Sequence, residues 1–193
     1  MGRLTRIISG GQTGVDQAAL RAGKDCGLAI GGWCPPGRAC ESDVIPLEFP
    51  LQETERERSA DAPDVPRSQR TEWNVRDSDA TLVLRSATEE RRDAGTHWAM
   101  RCAARSNRPL LVCDVDDPDA PKKIQEWLGQ LSISTLNVAG PSEGTAPGIG
   151  DRAYTLLIQV LRKVTSDPTQ RAGHVTRDEI GGASCNDRAQ HER

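Results

Sequence analysis

The feature that most restricts this chain is a recurring unit in which a short apolar run ends at a glycine turn and a helical periodicity follows. Arg6-Ile7-Ile8-Ser9 is β-branched and closes at Gly10-Gly11, after which Val15, Ala18, Ala19, Ala22 and Cys26 recur at helical spacing. Leu28-Ala29-Ile30 reads as a second strand, stopped by Gly31-Gly32. Ala80-Thr81-Leu82-Val83-Leu84 is compact and apolar, as a strand covered on both faces should be, and leads through a polar loop to a helix from Thr96 to Ala104. Pro109 to Cys113 is another strand, Ala120 to Leu131 another helix, and Thr135 to Ala139 a last strand closed by Gly140-Pro141. The final helix runs from Gly150 to Val164, with Ala153, Leu156, Leu157, Val160, Leu161 and Val164 on one face. Strands alternating with helices predict a three-layer α/β sandwich: a mostly parallel central sheet, right-handed crossovers, and helices on both faces.

Between these units the pattern lapses. Trp33 to Arg38 is too rich in Pro and Gly for a regular element. Half of residues 53–72 are charged, and Pro63 and Pro66 interrupt them, so this stretch is expected to be a solvated excursion. Residues 1–165 are read as a single domain and 166–193 as a polar tail without Leu or aromatic residues, expected to lack fixed structure. His174, Cys185 and His191 fall in that tail.

Composition removes several classes of function. Aromatics are 3% of the chain, too few to build a stacking platform for single-stranded nucleic acid, and 25 basic against 28 acidic residues give a net charge of −3. No nucleic-acid partner is expected. No run approaches the roughly 18 apolar residues of a membrane span, and Met1 to Thr5 enters the first strand without a signal-type apolar stretch, so the expected compartment is the cytoplasm. Six cysteines are scattered without a C-x-x-C pair, which argues against a zinc ribbon, and no metal site is expected.

In a doubly wound sheet the ligand crevice lies beyond the carboxyl ends of the strands. Its sharpest candidate here is Ser9-Gly10-Gly11-Gln12-Thr13-Gly14-Val15-Asp16, where glycines let backbone N–H groups approach an anion and a helix N-terminus adds partial positive charge. The run is neither G-x-G-x-x-G nor a P-loop, and a tight turn without a ligand is the plain alternative. Gly95 and Thr96 open a second helix, with Thr96 placed to cap it. Gly140, Ser142 and Glu143 end the last strand and form a candidate polar wall. Arg38 and Arg70 lie in the long loops, where each either clamps a phosphate or stays solvated. Asp16 either contacts a ribose or ring nitrogen or favours the helix N-terminus. Ser78 and Asp79 precede a strand and read as a structural turn at the opposite end. His97 reads as a surface residue, no G-x-S-x-G or H-E-x-x-H motif is present, and no catalytic residue is assigned.

Ile7-Ile8-Ser9-Gly10-Gly11-Gln12-Thr13-Gly14-Val15-Asp16, Gly31-Gly32-Trp33-Cys34-Pro35 with Gly37-Arg38, Arg70-Thr71 with Asn74-Val75, Asp77-Ser78-Asp79-Ala80-Thr81, and Leu136-Asn137-Val138-Ala139-Gly140-Pro141 together resemble the molybdenum cofactor carrier family over roughly residues 5–163. The resemblance implies a Rossmann-like fold related to the lysine decarboxylase-like phosphoribohydrolases. It also implies a homo-oligomer, often a tetramer, that holds molybdenum cofactor (molybdopterin) non-covalently and protects it until transfer to an apo-molybdoenzyme. Carried over onto this chain, it places the ligand against Gly10, Gly11, Gln12, Thr13, Gly14, Arg38, Gly95, Thr96, Gly140 and Ser142, with Arg70 and Glu143 at the margin. No catalytic group is required of such a carrier. Two departures stand out: Ala94 precedes Gly95 where relatives have a second glycine, and Ser142 stands where an arginine often follows Gly-Pro. The alternatives are a sensor of a nucleotide-derived ligand or a nucleoside-monophosphate phosphoribohydrolase. The hydrolases carry P-G-G-x-G-T-x-x-E, whereas this chain reads Asp93-Ala94-Gly95-Thr96-His97-Trp98-Ala99 and lacks the glutamate.

Overall fold

The computed structural model describes residues 3–86 and 93–166. In chain order its elements are β1 (Arg6–Ile8), α1 (Val15–Asp25), β2 (Ala29–Gly31), β3 (Trp33–Cys34), β4 (Ala39–Cys40), β5 (Asp43–Val44), β6 (Gln52–Glu53), α2 (Ser68–Arg76), β7 (Ala80–Arg85), α3 (Ala94–Arg105), β8 (Leu110–Asp114), α4 (Ala120–Gln130), β9 (Thr135–Ala139) and α5 (Ile149–Ser166). The readings for residues 167–193, including His174, Cys185 and His191, lie outside the described residues.

The large sheet has the order β2-β1-β9-β7-β8, and its strand pairs are all parallel, with Ile7 opposite Ile30 and Leu136, and Leu82 opposite Leu111 and Val138. Alternation along the strands decides which layer each side chain serves. Ile7, Leu82, Leu84, Leu136 and Val138 pack under α1, α4 and α5 in the main core, whereas Ala139 turns to the other face and joins Val75, Trp98, Ala99 and Ala103 beneath α2 and α3. The result is the expected three-layer α/β sandwich. Fully burying Trp98 (1% exposed) is worth about 2–3 kcal/mol, and its indole N–H is satisfied by donating to the Ser68 carbonyl at 3.1 Å.

Residues 33–76 are more ordered than their composition suggests. The short pairs β3–β6 and β4–β5 fold over a satellite core of Leu20, Cys34, Cys40, Ile45, Phe49 and Leu51. The expected solvated excursion instead runs into α2, whose first turn begins inside the charged stretch. Its anchors are polar: Asn74 pairs with both backbone groups of Trp33 at 2.9 Å, and the Ser68 hydroxyl donates to Ala62 O and accepts from Ser59 N. Because a buried polar group is stable only when partnered, these bonds hold α2 where an apolar stripe would normally do so.

Candidate functional site

β1 and β9 are neighbours, yet the chain leaving β1 continues outward to β2 while β7 and β8 lie beyond β9. Their carboxyl ends therefore flank the topological switch point, where a doubly wound sheet opens a crevice. Two loops meet there, residues 9–14 and 140–148. Gly14, at φ +76°, is where they touch: a Cβ on it would sit 2.5 Å from the Pro141 carbonyl oxygen, so only glycine allows this approach. Val15 N donates to the same Pro141 oxygen at 3.2 Å, and Gly14 packs against Gly150, which brings the N-termini of α1 and α5 side by side.

Gly10, Gly11 and Gly14 are buried, and among the described residues their N–H groups find no hydrogen-bond partner. The Gln12 side chain is 6% exposed; its Oε1 accepts from Thr13 N at 3.1 Å and Glu41 N at 2.9 Å, while its Nε2 is buried without a partner. Buried donors left unpaired by the fold itself are uncommon, and here several lie in one turn next to two helix N-termini.

Two carboxylates already serve neighbouring donors. Glu143 accepts from Gly148 N and Gly150 N, each at 2.7 Å, and so caps the start of α5. Glu41, from the β4–β5 hairpin, accepts from the Thr13 hydroxyl and from Gly144 N at 2.8 Å. Burial alone would raise the Glu41 carboxyl; the hydroxyls of Thr13 and Ser142 and the Gly144 N–H reverse that and hold it below the usual carboxylate range. The Ser142 hydroxyl also lies 3.2 Å from that of Thr145.

Arg70 comes from the opposite layer. Its guanidinium lies against the Gly10 Cα, since a Cβ there would be 1.8 Å from Nη1, and Nη1 donates to Asp16 Oδ2 at 2.7 Å. Gln12 N also donates to this oxygen at 3.3 Å, while Asp16 Oδ1 and Arg70 Nε are buried without partners. Burial pushes the Asp16 carboxyl up by more than Arg70 and the Gln12 N–H pull it down.

Gly10, Gly11, Gln12, Thr13, Gly14, Arg70, Ser142 and Glu143 thus cluster where the two loops meet, with Arg70 over Gly10 and Leu51 and Ile45 over Gly11. Of the other candidates, Gly140 stands at the same junction, against Val15, while Arg38, Gly95 and Thr96 make their contacts outside it. Arg38 spends its guanidinium on four backbone carbonyls, those of Ile45, Pro46, Phe49 and Leu51, and staples its own loop. Thr96 is not the cap of α3: Asp93 is, and both the N–H and the hydroxyl of Thr96 donate to its Oδ2, at 2.6 and 2.5 Å. Gly95 lies beside the same carboxylate. Gly140 is required by packing, since a Cβ would stand 2.3 Å from the Leu84 carbonyl oxygen. Asp79 binds Ser134 and Thr135 at the amino end of the sheet, a structural turn. Glu41 is the participant that sequence reasoning misses, because nothing in the spacing of a loop glutamate announces a contact with Thr13. A cavity of about 440 Å³, lined by Val115, Asp116, Pro121, Arg152, Leu156 and Gln159 among others, opens on the far side of the first turn of α5. Among the described residues, no group of three or more His, Cys, Asp or Glu is placed to hold a metal ion, and no helix is long and apolar enough to cross a membrane.

An all-parallel sheet of this order, covered by helices on both faces and carrying a glycine turn at its switch point, defines a Rossmann-like α/β sandwich. The sequence matches the circularly permutated YpsA SLOG family over residues 7–161, and the chain belongs to that family. It is similar to the crystal structure of a protein from Syntrophus aciditrophicus named as a molybdenum carrier, with 34% identity and a TM-score of 0.72 over 83% of this chain and 96% of the other. No curated protein sequence matches the chain.

Proposed function

We propose that this protein is a carrier that binds a phosphate-bearing cofactor, molybdenum cofactor in the first place, at the switch-point crevice and shields it until transfer. The observation that carries the reading is the set of buried N–H groups of Gly10, Gly11 and Gly14, unpartnered among the described residues, beside the unpartnered Nε2 of Gln12. Such donors suit a phosphate or a molybdate-like oxyanion, whose several oxygens accept hydrogen bonds without the ligand having to be turned over. Arg70 lies over Gly10 with its charge shared with Asp16, and Ser142 supplies a hydroxyl. The similarity to a protein named as a molybdenum carrier supports the same ligand class. In this reading the protein works in the cytoplasm as a homo-oligomer, catalyses nothing, and hands its cargo to an apo-molybdoenzyme.

The test is to purify the protein from a host that makes molybdenum cofactor and to examine it by native mass spectrometry and elemental analysis. Molybdenum and pterin near one per subunit are expected. A nucleotide-derived ligand without metal would instead make the protein a sensor or a phosphoribohydrolase, and a turnover assay would separate those two.

A further inference from the structure

The Glu41 carboxylate occupies donors that a ligand would need. It reaches from the β4–β5 hairpin to the junction of the two crevice loops, where it takes the Thr13 hydroxyl and Gly144 N, and its own N–H is held by Gln12 Oε1 at 2.9 Å. The contact with the 140–148 loop is close, since a Cβ on Gly144 would lie 2.7 Å from Glu41 Oε2. Gln12 is the hinge of this arrangement. Its carbonyl oxygen is spent on Glu41 N and Thr13 N, and its amide Nε2 is left buried and unpartnered beside them. A carboxylate presents anionic acceptor oxygens, as a phosphate does, so the same donors can serve either.

We infer that Glu41 is a resident stand-in for the ligand's oxyanion: it fills one seat of the crevice in the free protein and is expelled when a phosphate-type group takes the Thr13 and Gly144 donors. The inference rests on the phosphate-cradle reading above and adds to it a residue that sets affinity and selectivity. Two anions cannot take those donors at once, because the donors are few and like charges at hydrogen-bonding distance repel. Ligand binding is therefore an exchange of one anion for another. Weak anions such as acetate or chloride fail to displace an intramolecular carboxylate, whereas a multiply charged phosphate succeeds. Gln12 Oε1, bonded to the backbone N–H groups of Glu41 and Thr13, stays in place when the carboxylate leaves, and keeps the buried Gln12 Nε2 beside the vacated donors.

The experiment uses the full chain with pyrophosphate and, separately, inorganic phosphate as probes. Affinity is measured by titration calorimetry for the unaltered protein, Glu41→Gln and Asp43→Asn. Asp43 sits on the same hairpin, exposed and paired across it with Cys40, so its variant reports the effect of removing a nearby charge alone. Glu41→Gln is expected to bind pyrophosphate at least tenfold more tightly, and Asp43→Asn less than twofold. In parallel, hydrogen exchange on the unaltered protein should quicken across residues 39–45 when pyrophosphate is added, while exchange across residues 10–14 slows. Equal or weaker binding by Glu41→Gln, or slowed exchange in both segments, overturns the exchange of anions and leaves the cradle standing. Failure of every form to bind either probe, with each form shown to be folded by its melting transition, overturns the cradle as well.

Discussion

Arg70, on α2, extends across the carboxyl edge of the sheet to donate Nη1 to Asp16 Oδ2 in the first turn of α1, 2.7 Å away, and the two side chains are only 12% and 1% exposed. The pair joins helices on opposite faces of the sheet at the mouth of the crevice. A buried pair of this kind is weak evidence of net stabilisation, but its partners depend on each other, because removing one leaves the other charged and dry.

Arg70→Met is therefore expected to destabilise the fold by about 3–5 kcal/mol at neutral pH, read from urea denaturation. The pH dependence follows from burial of Asp16, which places its folded-state pKa above the ordinary 3.8. Over the window between those two values the folded state binds the extra proton, so stability rises as pH falls through it. Loss of Arg70 widens the window upward, and the deficit of the variant should shrink on acidification. A deficit that is independent of pH would show that Asp16 is not the group left behind.

Gly10→Ala and Gly14→Ala should differ in severity although both lie in the same turn. The new Cβ at position 10 meets the Arg70 guanidinium, which can swing away at the expense of its Asp16 contact. The Cβ at position 14 meets the Pro141 carbonyl oxygen at 2.5 Å, and the backbone at φ +76° disfavours any side chain. Gly14→Ala is expected to cost more than about 2 kcal/mol and to exceed Gly10→Ala. In addition, the effect of Gly10→Ala should largely vanish in an Arg70→Met background, a non-additivity that a double-mutant cycle measures directly.

Arg38 offers a separation of structure from binding. With its guanidinium donating to Ile45, Pro46, Phe49 and Leu51, Arg38→Gln should lower stability by about 1–3 kcal/mol and expose residues 39–51 to proteolysis. Phosphate affinity of the folded fraction, and its salt dependence, should change little. A reduced salt slope would return Arg38 to the ligand.

The contrast between Arg38 and Arg70 shows what the sequence does and does not disclose. Apolar periodicity locates the five strands of the large sheet and α1, α3, α4 and α5 to within two residues, because each element buries a stripe or a face. It misses α2, whose nine residues Ser68–Arg76 bury Ser68, Thr71, Asn74 and Val75 and which starts at Arg67 in the left-handed region, without a capping side chain. Polar anchors such as Asn74 to Trp33 have no periodic signature, being fixed by a partner 41 residues away. The crevice is legible for the same local reason as the strands: the Gly10 to Gly14 turn follows β1 directly. Glu41 and the Asp16–Arg70 pair depend on which loops the topology brings together, and residue spacing does not carry that.

Asp79 tests the opposite end of the sheet, where the crevice plays no part. Its Oδ2 accepts from Ser134 N at 2.8 Å, Ser134 Oγ at 3.0 Å and Thr135 N at 2.8 Å, tying the start of β7 to the start of β9. The Thr135 N–H leads the hydrogen bonds that hold the carboxyl below its ordinary value of 3.8, against the partial burial that would raise it. A depressed folded-state pKa contributes stability that is present above 3.8 and lost as pH falls through the folded value. Asp79→Asn keeps the shape and one acceptor but removes the charge, so a loss of roughly 1–2 kcal/mol is expected at pH 7. Thermal melts of the two forms should converge only as pH falls through the folded-state value, which lies below 3.8, since only there is the Asp79 carboxyl protonated in the folded state as well. Phosphate binding at the far edge should be untouched. Parallel melts at every pH would mean that the hydrogen bonds act through geometry and not through the charge.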